Sequence, residues 1–119
     1  MESILNSIKR YLGIHIDDNS FDEEIMMHTN GALSVVNQLG VGPPNGFRIT
    51  GFSETWDDFM GSKLFELVKE DVFLRVKLNF DPPANSFLVT ALKEQLKEYD
   101  WRIEVYYSGN PSPGDQTEG

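Results

Sequence analysis

Two histidines and two groups of acidic side chains are the residues of this sequence that could do chemistry. A neutral imidazole, at His15 or His28, could act as a general base. The carboxylates of the acidic run at 17–24 could bind calcium. Those at 54–58 could supply an acid–base pair.

Each of these groups has a simpler structural explanation. The run at 17–24 lacks the glycine and the terminal glutamate that an EF-hand loop requires. Both acidic groups precede predicted helices, whose first turns favour negative charge. His28 lies at the edge of an apolar stripe, where a hydrogen-bonded core residue is more common than a base. Because a phosphate-binding loop, a serine elbow and cysteine are also missing, we predict no enzyme, no cofactor and no metal site.

Length and composition exclude further classes of protein. The chain of 119 residues suits one domain with a modest core. Without cysteine it forms no disulfide and no thiolate metal site. The net charge of −9 argues against nucleic-acid binding, and no segment has the pattern of a signal peptide or a membrane span. We therefore expect a soluble, intracellular protein.

Two long helical patterns separated by 81–83 organise the chain. From Ser62, predicted as the helix cap, to Phe80, apolar residues cover most of the helical circumference. This helix should therefore be central and buried on most sides. The two prolines at 82 and 83 end it, and Asn85 or Ser86 caps a second long helix.

The remaining segments predict shorter elements. Ser20 and Glu23 have the spacing of a capping box, and the glycines and prolines of 40–46 indicate a loop. The other predictions are a helix over 3–12 ending at Gly13, the helix from Ser20 to about Leu39, a short β-hairpin that 47–54 can form and a short helix from Thr55. The predicted fold class is mainly α, with four to five helices in a domain over 1–107 and a flexible tail over 108–119.

Two features could serve contacts between chains. Phe87, Trp101 and Val105 form an apolar patch on the side of the last helix opposite its main stripe, and such a patch is exposed, covered by a loop or bound to another protein. Asp71 and Arg75 are four residues apart within the apolar arc of the central helix, close enough to pair. The pair either satisfies charges inside one subunit, which we favour slightly, or fixes the register between subunits.

Four segments in order carry a resemblance to a known family. They are 35–43 (VVNQLGVGP), 54–59 (ETWDDF), 72–83 (VFLRVKLNFDPP) and 86–102. Their order and spacing resemble the head–tail connector, or adaptor, proteins of long-tailed bacteriophages and prophages, also described as DNA packaging or neck proteins. The resemblance covers 4–102 and leaves out the tail.

The resemblance implies a structural role without catalytic residues. Such a subunit is mainly α and assembles with copies of itself into a ring, commonly dodecameric, below the portal protein of the filled capsid. The ring extends the channel through which DNA passes without specific binding, and it docks a tail-completion or stopper protein. The protein would then lie in the virion neck, after assembly in the host cytoplasm, and could be encoded by a prophage.

The residues themselves offer candidate positions for two kinds of contact in such an assembly. Asp71, Arg75, Phe87, Trp101 and Val105 are candidates for the subunit interface. C-terminal segments of such adaptors can reach toward the portal, which makes Ser108, Asn110, Pro111 and Pro113 candidates for portal docking. A small acidic regulatory module, such as an anti-repressor or an enzyme inhibitor, is the alternative, because negative charge and exposed aromatic residues would serve it equally well.

Overall fold

The computed structural model describes residues 2–63 and 65–109, and these form five helices. They are α1 (Ile4–Leu12), α2 (Asp22–Gln38), α3 (Trp56–Met60), α4 (Glu66–Phe80) and α5 (Ser86–Gly109). The β-type pairing in the described ranges is one isolated bridge between Ser3 and Thr55. The predicted fold class, mainly α with a long central and a long C-terminal helix, is confirmed.

α4 is the helix on which the other long helices pack. It contacts α1, α2 and α5, and Val68, Val72 and Val76 along its length are fully buried. Trp56 and Phe59 of α3 complete the same core. Its central position follows from the apolar residues that surround it on most sides.

The start of α4 differs from the prediction. The helix begins at Glu66, and Phe65 takes the N-cap position in an extended backbone without a side-chain cap, so Ser62 is not the cap. The ring of Phe65 stacks on Tyr106 of α5, with 4.2 Å between centroids. The later start thus coincides with the packing of Phe65 against α5.

A capping box forms at α3 and not at α2. α2 begins at Asp22 with no side-chain cap, because Asp18 Oδ1 accepts from the backbone N–H of Ser20 and forms a separate turn. The predicted Ser20 box is therefore wrong. At α3, Thr55 Oγ1 accepts from the N–H of Asp58, and the Asp58 carboxylate accepts from the N–H of Thr55.

The hairpin expected at 47–54 does not form. The side chain of Asn30 on α2 takes both backbone groups of Ile49: its Oδ1 accepts from the N–H at 2.7 Å and its Nδ2 donates to the carbonyl at 3.0 Å. Glu54 accepts from the backbone and hydroxyl of Thr50. The groups that would pair two strands are thus bound to side chains.

Lys9 is a fully buried cation that the amphipathic pattern does not reveal. Its side chain is 0% exposed, and its Nζ lies 2.8 Å from a carboxylate oxygen of Asp22 at the start of α2. The same Nζ donates to the carbonyls of Ile16 and Asp18 at 3.1 and 2.8 Å. One lysine therefore holds α1, the loop at 13–21 and α2 together.

Candidate subunit interface

The predicted pair of Asp71 and Arg75 is present, and a third residue, Asp100, joins it to form a cluster. Nε and Nη2 of Arg75 each donate to Asp71 Oδ1 over 3.1 Å. Nη2 also donates to both carboxylate oxygens of Asp100 on α5, at 2.6 and 2.8 Å. The cluster thus links α4 to α5 inside one chain, and Asp71 within it is 0% exposed.

The cluster holds two carboxyl groups against one guanidinium. Burial raises the pKa of Asp71, and the adjoining Asp100 raises it further, while Arg75 opposes the change; the resulting pKa is about 8. The raised pKa favours the protonated form of Asp71 at neutral pH. This protonation relieves the repulsion between two carboxylates at one site.

Asp71→Asn should remove a pH dependence from the free energy of unfolding. Between the ordinary value of 3.8 and the folded value of about 8, the unfolded chain loses a proton that the folded chain keeps. The contribution of Asp71 to the free energy of unfolding is therefore largest below about pH 4 and falls as the pH rises toward 8. Urea unfolding of both proteins between about pH 5 and pH 8 should show the wild type losing stability relative to the variant. A constant difference across that range would contradict the raised pKa.

The first turns of α5 project beyond the end of α4. Arg75 binds Asp100 across the antiparallel pair, so Phe80, the last residue of α4, comes level with about Gln95. Residues 86–94 then extend about 13 Å past α4. We call this segment the arm, and none of its residues, all described, is buried.

The opposite end of α5 is packed. Ile103 is fully buried, and the hydroxyl of Tyr107 donates to the carbonyl of Lys63 at 3.0 Å. Burial of the Tyr107 phenol, with Tyr106 adding to the effect, raises its pKa to about 12. α5 is therefore anchored through its C-terminal half, and it has no buried residue before Leu96.

The apolar patch predicted on α5 is exposed but divided. Phe87 is 86% exposed and Trp101 is 64% exposed, with Val105 half-exposed beside it. Phe87 lies in the arm, about 21 Å along the helix from Trp101. Glu94 and Glu98 lie on the same side between them. The patch thus consists of two separate apolar surfaces, and their role in a subunit interface stays a prediction.

Of the other candidate contact residues, some are enclosed, some are exposed and some lie outside the described residues. Asp71 is enclosed by its own chain, so Arg75 and Asp100 are the members of the cluster with accessible atoms. Ser108 is exposed in the last turn of α5. Asn110, together with Pro111 and Pro113 at the other predicted portal-docking positions, lies outside the described residues.

The candidate catalytic side chains occupy structural positions. Asp58 caps α3, and Glu54 accepts hydrogen bonds from Thr50. His28 lies 3.7 Å from Glu24, and its ring makes an edge-type contact with the ring of Phe80. Within the described residues no group of three or more histidine, aspartate or glutamate side chains could hold a metal ion. None of their helices is long and apolar enough to span a membrane.

Comparison with known families decides the class of protein. Residues 4–110 match the family described as phage connector protein. The chain belongs to this family. The match extends from the first residue of α1 to just past the last residue of α5, so it covers the whole described fold. Neither a curated protein nor a solved structure matches the chain.

Membership in the phage connector family confirms the resemblance drawn from the sequence. A phage connector is a structural protein of the head–tail junction, which is not a class of enzymes. The connector's exposed surfaces are therefore of more interest than its acidic residues. Two of them, the arm and the Trp101 surface, lie on α5.

Proposed function

We propose that this connector forms a ring, dodecameric in the virion, below the portal protein. The observation that carries the proposal is the family match over residues 4–110. The ring extends the DNA channel of the capsid and docks a tail-completion or stopper protein on its far side. The protein assembles in the host cytoplasm, from a phage or prophage gene, and ends in the virion neck.

The distribution of apolar surface supports assembly. A helix in a lone small domain gains little from apolar residues on a solvent-facing side, and contiguous exposed apolar surface is a common mark of a contact with another protein. α5 exposes Trp101 and Val105 on one such surface and Phe87 on another. A closed ring requires two different surfaces on each subunit, because neighbouring subunits meet head to tail.

The charge of the chain suits a channel for DNA. A net charge of −9 repels phosphate groups, so the genome can pass without binding. Specific DNA binding would instead require clustered lysine and arginine.

Trp101→Ala should weaken assembly and leave the fold almost unchanged. The indole is 64% exposed, so the loss of unfolding free energy should be below about 0.5 kcal/mol. Ile103→Ala, at a fully buried position on the same helix, should cost about 2–5 kcal/mol. Chemical unfolding and sedimentation of both variants separate the two effects. Equal losses of stability and assembly in Trp101→Ala would show that the indole supports the fold of its own subunit.

Quantitative mass spectrometry of purified virions tests the proposed function. The protein should be present in about the same number of copies as the portal protein. A regulatory module would instead be abundant in the infected cell and absent from the particles. Absence from virions that contain portal protein would overturn the proposal.

A further inference from the structure

The arm has the properties of an unpartnered contact surface. It carries Phe87, Leu88 and Leu92 in its first two turns, and Asn85 Oδ1 caps it by accepting from the N–H groups of Phe87 and Leu88. The helix start is thus well defined even though the segment projects past α4. A helix normally gains its stability by packing its apolar side chains, and in the arm Val89 and Leu92 are partly buried while none is fully buried.

A cleft lies beside α2 of the same subunit. It has a volume of about 460 Å³ and runs between α2 and the segment 48–50. Met26, Met27 and Ile49 supply its apolar wall. The two hydrogen bonds between Asn30 and Ile49 fix the segment to the helix, so the two walls of the cleft are fixed relative to each other. Met27 on its rim is 62% exposed.

The arm and the cleft are two different surfaces, carried by different helices of the subunit. α4 packs against both α2 and α5. On α2 the cleft residues are centred about 130° around the helix from the buried stripe that faces the core. The cleft therefore faces away from the core. Two different surfaces on each subunit are what head-to-tail assembly requires.

Both surfaces are locally neutral on a strongly acidic chain. The arm carries Lys93 and Glu94, and the cleft carries Glu23 and Arg48, whereas the whole chain has a net charge of −9. Two copies that meet through these surfaces avoid placing like charges together. The lysine of the arm is opposite in charge to the glutamate of the cleft, and the glutamate of the arm is opposite in charge to its arginine.

We infer that the arm of one subunit docks in the α2 cleft of the next copy of this chain. The inference rests on the proposed ring and names the contact that builds it. An arm of nine residues covers less than the roughly 800 Å² per partner of a standard stable interface. Each contact is therefore weak alone, and closure of the ring or binding to a portal raises the effective concentration that makes it persist.

Paired cysteines test this contact directly, because the chain contains no cysteine of its own. The double variant Phe87→Cys with Met27→Cys places one thiol on the arm and one on the cleft, both at strongly exposed positions. A short bis-maleimide reagent at high protein concentration should link successive subunits. Denaturing gels should then show a ladder of trimers and larger chains.

Three control variants show what each alternative cross-linking result would mean. Each single variant should stop at a cross-linked dimer or below, and Glu104→Cys with Met27→Cys, which moves the α5 thiol to an exposed position outside the arm, should give no ladder. A double variant that stops at dimers, together with dimers from Phe87→Cys alone, would show that two arms meet each other and would overturn the inference. A missing ladder from a protein that still forms rings or joins virions would overturn the inference and leave the proposed function standing.

Discussion

Lys9→Met should lower the free energy of unfolding by about 3 kcal/mol. Removing one partner of a buried ion pair leaves the other charge enclosed without compensation. Here the carboxylate of Asp22 would lose its ammonium partner, and the carbonyls of Ile16 and Asp18 would lose their donor. For a small domain this is a large share of a total stability of about 5–15 kcal/mol. Urea or thermal unfolding measures the loss.

Arg10→Met is the matched control for this prediction. Arg10 is the next residue of the same helix, and its ion pair with Glu2 is exposed to solvent. Exposed pairs contribute at most about 1 kcal/mol. Equal losses in Lys9→Met and Arg10→Met would show that the buried ammonium does not hold the loop at 13–21.

Gly42→Ala should cost about 3–4 kcal/mol of unfolding free energy, from two separate causes. Gly42 has a φ of +81°, a backbone region that costs an L-residue about 1–2 kcal/mol. A Cβ at this position would also lie 2.6 Å from a ring carbon of Phe59 and 3.0 Å from its carbonyl oxygen. Phe59 is buried in the core, so it cannot move aside without the further cost of an overpacked core.

Gly46→Ala separates backbone strain from the clash. Gly46 also has a positive φ, +102°, but a Cβ there would meet no atom within 4 Å. The Gly46→Ala variant should therefore lose only about 1–2 kcal/mol of unfolding free energy, from backbone strain alone. The comparison is made by chemical unfolding of both variants. A Gly42→Ala loss no larger than that of Gly46→Ala would contradict the close contact with Phe59.

The helices were predictable because their signals are local. The apolar circumference of α4, the prolines after Phe80 and the stripe of α5 depend only on residues near one another in the chain. Residues 101–105 alternate in the manner of a strand as well as following the helical stripe. They are helical in the structure, where Ile103 is fully buried and α5 continues to Gly109.

The contacts between elements were not predictable in the same way. The pairing of Asp71 and Arg75 follows from their spacing, but Asp100 joins them only through the register of two antiparallel helices. Lys9 resembled an ordinary solvent-facing charge beside an apolar stripe. Its one signal was the acidic run that follows, and that signal does not tell a buried pair from a surface pair.

The predicted capping box at Ser20 and the predicted hairpin at 47–54 were wrong because side chains compete for the same backbone groups. Ser20 and Thr55 both stand three residues before an acidic side chain, yet only Thr55 forms a capping box, because an upstream aspartate engages the backbone of Ser20. Likewise 47–49 has strand-forming residues, but Asn30 of α2 takes the backbone groups of Ile49. The competing side chain lies two residues upstream in the first case and on a separate helix in the second.

Native mass spectrometry of the protein mixed with the portal ring of its phage or prophage tests the ring most directly, with negative-stain images of the same samples. Over a range of concentrations we expect a closed ring on the portal, with an open centre and as many copies as the portal has subunits. A compact dimer at every concentration, with no binding to the portal ring, would contradict the account.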